Sequence, residues 1–158
     1  MKADVAAEVA SGVLASAREA QVPVIHIQHL ADDPRASFFV PGTFGAEINM
    51  LVAPIDGEPV IIKHEPNSFL NTNLRETLDA LGIDSLVIVG MMSSMCVDAT
   101  VRAAMDLGYP VTVVHDACAA PDFEFEDTNI PAHLVHAAFM RAVSDAGATV
   151  IPASALSF

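Results

Sequence analysis

The chain has 158 residues, 53% hydrophobic and 17% charged, with 7 Lys and Arg against 20 Asp and Glu and a formal net charge of −13. That length and apolar content suit a single domain, residues 1–158, with a substantial core. The low charged fraction argues against disorder, and the acidic balance argues against a nucleic-acid partner. No apolar run approaches the ~20 residues of a membrane span, so a membrane partner is not expected.

Residues 4–20 place Val5, Val9, Val13, Leu14 and Ala17 at helical spacing. The N-terminus, MKADVAAEVASG, has no apolar block of the kind a signal peptide carries. VPVIHIQH, 22–29, is short and β-branched and reads as a strand. Residues 30–58 have no clear period and carry Pro34, Pro41, Gly42, Gly45, Pro54 and Gly57, which marks a long loop of the kind that often carries function. PVIIK, 59–63, is the next strand, followed by a helix over 72–83 with Thr72 as N-cap and Gly82 near its end. SLVIVG, 85–90, is a strand; a helix opens at Cys96; PVTVVHDA, 110–117, is a strand. The acidic run DFEFED, 122–127, reads as a solvated loop. A helix over 131–147, with Pro131 in its first turn, precedes a last strand at 148–151.

Strands alternate with helices, and the strands are continuous apolar runs. Both features predict an α/β fold of three layers, α/β/α, with a central and mostly parallel sheet. Ligands in such folds sit beyond the carboxyl ends of the strands. Those ends are His29, Lys63, the Gly90–Cys96 turn and His115–Asp116.

Cys96 lies one short turn after a buried strand and in the first turn of a helix. Helix N-termini stabilise anions, and their free N–H groups can receive an oxyanion, so the position suits a nucleophile. The competing reading is a packed thiol, since free cysteine is among the most buried residue types. Lys63 follows an apolar strand and is one of only 7 basic residues. It is either a solvated charge ending the strand or a group that orients a substrate and moves a proton. His26 and His29 fall on opposite faces of their strand and do not form a metal pair. His133 and His136 share a helix at i,i+3, where a solvated face is the expected setting. Met91, Met92 and Met95 read as pocket or interface filler. No GxGxxG, Walker loop, CxxC or HExxH is present.

VIIKHEPNSFLNTNL followed by GIDSLVIVGMMSSMCVDATVRAAMDLGYPVTVVHDACAA resembles the isochorismatase-like cysteine hydrolase superfamily. The specific features are Lys63 with Ser68, Phe69 and Thr72 behind it, and the G-x-x-x-x-x-C-V turn with Thr100 and Gly108 behind it. The resemblance implies that Cys96 is the nucleophile and Lys63 the lysine of an Asp–Lys–Cys triad. It also implies a non-proline cis peptide at Met91–Met92, with the Met92 and Cys96 amides as the oxyanion hole. Phe38, Phe39, Phe69 and Ser93 are then expected around a small-molecule substrate. Cys96 argues for C–N hydrolysis of an amide-like substrate rather than vinyl-ether hydrolysis. Residues 30–45 lack the histidine that a nicotinamidase metal site uses, so no catalytic metal and no cofactor is expected.

One element of the resemblance has no counterpart. The family's Asp ends a strand that precedes the first long helix, and this sequence begins at that helix, N-terminally short relative to the family. Asp4, Asp98 and Asp116 do not match its position. The strand would be central, between those at 22–29 and 85–90, so its absence is expected to leave a gap in the core. Two explanations follow: residues precede the sequence given, or the protein is a catalytically impaired homologue that binds or scaffolds. Two cysteines without a secretory signal are expected as free thiols in the cytoplasm; the mean hydropathy of +0.46 suggests that some surface is buried in an oligomer, and the resemblance implies a homodimer or homotetramer.

Overall fold

The structure, a computed structural model, describes residues 2–33 and 35–158. Its elements follow chain order: α1 (Ala3–Glu19), β1 (His26–His29), β2 (Val60–Lys63), α2 (Leu74–Ala80), β3 (Leu86–Met91), α3 (Asp98–Asp106), β4 (Val111–Ala119), β5 (Phe123–Phe125), β6 (Thr128–Ile130), α4 (Ala132–Asp145) and β7 (Thr149–Ile151). Among its described residues the 30–58 segment has two short 3₁₀ turns, Phe44–Ala46 and Met50–Val52.

Two adjacent residues show the layering. Val113 and Val114 on β4 are both fully buried, and strand alternation sends them to opposite faces. Val113 packs with Val97, Val101 and Ala104 from the α3 side and with Met140 and Val143 of α4. Val114 packs with Ala10 and Val13 of α1. The buried face of α1 is Ala6, Ala7, Ala10, Val13, Leu14 and Ala17, small residues at helical spacing that let the helix lie close to the sheet. Val5, read from the sequence as part of that face, is 46% exposed. A third cluster joins Ile61 of β2 to Leu74 and Leu78 of α2, with Ile25, Ile27 and Phe69 against it.

All pairings among β1, β2, β3, β4 and β7 are parallel, as expected. They form two separate ladders, β1–β2 and β3–β4–β7, with no pairing between them. Among the described residues β3 pairs only with β4, and Val87 and Met91 on it are 40% and 37% exposed. The ladder is also irregular: Ile88 lies opposite Val113 but Gly90 opposite Cys118, so two steps along β3 match five along β4. Gly90 takes φ +124°, a conformation side chains disfavour, at this bulge. His115 and Asp116 project from the excess length of β4.

One segment corrects the sequence reading. Residues 122–127 are not a solvated loop: Phe123–Phe125 and Thr128–Ile130 form an antiparallel hairpin. Glu126 at its tip has φ +52°, a value usually supplied by Gly or Asn. The remaining helices and strands lie within a few residues of their expected limits. Thr72 stands one residue before the N-cap Asn73, yet its hydroxyl still accepts from the Leu74 N–H at 3.2 Å. Gly82, at φ +67°, closes α2.

Candidate active site

The parallel ladders deliver their side chains to one edge. β2 ends there in Lys63, and β3 in Met91. The Met91–Met92 peptide is cis, as the resemblance implies. The chain then enters a five-residue π-type turn, Ser93–Val97, that runs directly into α3. The helical run thus begins at Ser93, three residues before the start expected from the sequence. The Met92 carbonyl accepts from the N–H groups of Met95 and Val97, both at 3.1 Å, which fastens the turn around that residue. Cys96 sits within the turn, partly accessible and not in a disulfide.

Lys63 is not a solvated strand end. It is 3% exposed, and its Nζ donates to the Pro66 carbonyl at 2.6 Å. The same carbonyl lies 3.4 Å from Thr100 Oγ1. Thr100 Oγ1 in turn accepts from the Ser68 N–H at 3.1 Å and shares a hydrogen bond with Ser68 Oγ at 2.9 Å. Thr72 Oγ1 donates to the Ser68 carbonyl at 2.6 Å. Thr100 is one helical turn beyond Cys96, on the same face. Lys63 and α3, which follows the Cys96 turn, are therefore tied to one carbonyl, and Lys63, Ser68, Thr72 and Thr100 meet in one network.

Around this network the other side chains take distinct places. His29, paired in register with Lys63, stacks on Phe39 with ring centroids 4.8 Å apart, and Phe38 meets Phe39 edge-on at 5.4 Å. Burial, followed by the neighbouring Lys63, lowers the His29 pKa. Phe39 is half-buried and Phe38 is exposed, both beside the exit of the first ladder. Phe69 packs inward, 6.2 Å from Tyr109, between two core clusters. Ser93 has no exposed surface, and its hydroxyl is bonded to His136 Nδ1 at 2.8 Å. It is the first residue of the Ser93–Val97 turn.

His136 corrects a second expectation. His133 is exposed, but His136 is 8% exposed and part of the buried face of α4. Neither nearby Asp is at liberty. Asp98 is paired with Arg102 at 3.0 Å, and Asp116 Oδ1 accepts from the Ala153 N–H at 2.8 Å. Cys118 is fully buried, and burial pushes its pKa up to about 12. It is therefore a poor resolving partner for Cys96. Sequence reasoning missed Ser94, whose Oγ, like His29 Nδ1, is buried with no hydrogen-bond partner among the described residues. Nothing in a serine pair at this spacing signals which hydroxyl is satisfied.

The isochorismatase domain model matches residues 1–154. The chain is 37% identical over 151 residues to a streptothricin hydrolase of Streptomyces noursei, covering 93% of this chain but only 54% of that protein. The crystal structure of a putative isochorismatase hydrolase from Oleispira antarctica superposes with a TM-score of 0.92 at 49% identity, over 96% of this chain and 80% of that one. N-carbamoylsarcosine amidase from Thermoplasma acidophilum superposes with a TM-score of 0.79 at 28% identity, over 99% and 87%. Domain match, sequence and fold agree: this chain belongs to the isochorismatase family of hydrolases.

Proposed function

We propose that the protein is a cysteine hydrolase that cleaves the C–N bond of a small amide-like substrate through a thioester on Cys96. The carrying observation is the presentation of Cys96: a partly accessible free thiol in the first turn after β3, on a helix bolted through Thr100 to the carbonyl that holds Lys63. The likeness to N-carbamoylsarcosine amidase supports an amide-type substrate.

The Cys96 thiol gives its proton to a base, and Sγ adds to the substrate carbonyl carbon. The backbone N–H groups of Met92 and Cys96 receive the oxyanion. As the tetrahedral centre collapses the C–N bond breaks, and the leaving nitrogen takes a proton routed past Lys63. Water then adds to the thioester, releasing a carboxylic acid and restoring the thiol. Phe38 and Phe39 wall the approach from β1.

A second reading is favoured by one specific observation. Asp98 is held by Arg102, Asp116 Oδ1 by the Ala153 N–H, and neither is hydrogen-bonded to Cys96 among the described residues. On this reading the chain binds such ligands without turning them over. A panel of N-carbamoyl amino acids and primary amides, run with wild type and Cys96→Ala, separates the two. The hydrolase reading expects ammonia release by wild type and none by the variant, with an acyl adduct on Cys96 in quenched samples. Equal turnover by both proteins would remove Cys96 from the mechanism. Ligand binding without ammonia release would favour the second reading.

A further inference from the structure

The turn that carries Cys96 is held from two sides. One is the Pro66 carbonyl network described above. The other comes from α4, through a side chain that the proposed chemistry does not use. Ser93 opens the turn with no exposed surface, and its hydroxyl meets His136 Nδ1 at 2.8 Å across 43 residues of sequence. His136 is fixed in place with Val135, Met140 and Val143 on the buried face of α4. The turn itself is stiffened by the two N–H bonds to the Met92 carbonyl, so it moves as a unit. Val97 packs that unit against Met140 and Val143 of α4, and the Ser93 hydroxyl is its side-chain hydrogen bond to the same helix. A buried hydroxyl with one imidazole partner has a fixed rotamer, and losing the partner leaves a polar group unsatisfied.

We propose that His136 is a positioning residue: by accepting the Ser93 hydroxyl at Nδ1, it sets the place of the Ser93–Val97 turn and thereby of the Cys96 Sγ. The role needs a neutral imidazole, protonated at Nε2. Burial, which lowers the His136 pKa, favours the neutral ring, and the hydroxyl bond at Nδ1 is what would select the tautomer. The consequence for turnover rests on the nucleophile reading of Cys96. The consequence for thiol reactivity does not.

The test measures the rate of Cys96 alkylation by iodoacetamide, located by peptide mass spectrometry, together with the melting temperature of each variant. Alkylation follows the thiolate fraction and access of Cys96, and both depend on where the turn holds Sγ at the start of the helix. Ser93→Ala and His136→Ala are each expected to slow alkylation about tenfold, and the double variant no more than the slower single, because both remove one bond. His136→Asn places an amide oxygen where Nδ1 was and is expected to restore the rate to within about threefold of wild type. His136→Gln, whose amide reaches the Nε2 position, is not. With an amide substrate the same series is expected to lower kcat and leave KM near wild type. Multiplying single effects in the double variant would overturn the proposal. So would equal slowing in the Asn and Gln variants that tracks their loss of melting temperature. Where an Ala variant does not fold, the Asn–Gln comparison decides alone. If Cys96→Ala retains turnover, the hydrolase reading falls while the alkylation pattern still decides this one.

Discussion

Lys63 is the residue where stability and chemistry pull apart. It is 3% exposed, and its Nζ has one neutral acceptor, the Pro66 carbonyl. Burying an amine with a single neutral partner is unfavourable relative to burying an apolar chain of equal length. Lys63→Met keeps the volume and removes the amine. We expect the variant to fold with stability unchanged or raised by about 1 kcal/mol, and to lose amide turnover. Thermal melts and the amide panel read the two effects separately; a strongly destabilised variant would contradict this account of Lys63. The residue was legible in the sequence because a charge ending an apolar strand is conspicuous. His136 was not. It and His133 are three residues apart on one helix, and the burial boundary runs between them, which spacing alone does not locate.

Among the elements, α1 is fastened to the base of the first ladder by one carboxylate. Glu58 accepts two bonds from Arg18 and one from His26, each at 2.8 Å, and one from the Ile55 N–H at 3.0 Å. Its side chain is 12% exposed. Hydrogen bonding from Arg18 is the main cause that holds its pKa at about 2, against an ordinary 4.5. A depressed carboxylate stabilises the fold fully above the unfolded value, and that contribution fades as pH falls from about 4.5 towards 2. We expect Glu58→Gln to destabilise the protein by on the order of 2 kcal/mol at pH 7, discounted for the partial exposure of Arg18. The gap to wild type should close as pH drops through that window. Urea denaturation at stepped pH checks this, and a gap independent of pH would contradict it. This tie could not be read from the sequence, since Arg18, His26 and Glu58 belong to three separate segments. The β5–β6 hairpin was hidden for a local reason: its turn is Glu126-Asp127, without the Gly or Asn that normally marks a two-residue hairpin.

For the whole molecule, the alternation of apolar strands with helices made the three layers readable, and Val113 and Val114 bear them out at a single point on β4. What the sequence left open was how the ladders relate. The structure divides them into a three-stranded unit and a two-stranded one. The units differ in burial. β4 has Val111, Val113, Val114, Ala117, Cys118 and Ala119 all buried, with helices on both faces. β2 buries Ile61 and Lys63 but leaves Val60 and Ile62 at 40% and 48% exposed. A two-stranded ladder is marginal without support, and the support here is the small cluster of Ile61, Leu74 and Leu78. Regions with fewer buried apolar contacts open at lower free energy than the core. We therefore expect native-state amide exchange to separate the units, with β1, β2 and α2 opening together at least about 2 kcal/mol more easily than β3, β4 and β7. Peptides covering 60–63 and 74–80 should exchange before those covering 111–119, and with similar denaturant dependence to each other. Equal protection of the two sets would mean that the ladders act as one cooperative unit. Because Lys63 ends β2 while Cys96 follows β3, that measurement also reports how firmly the two halves of the candidate site are held together.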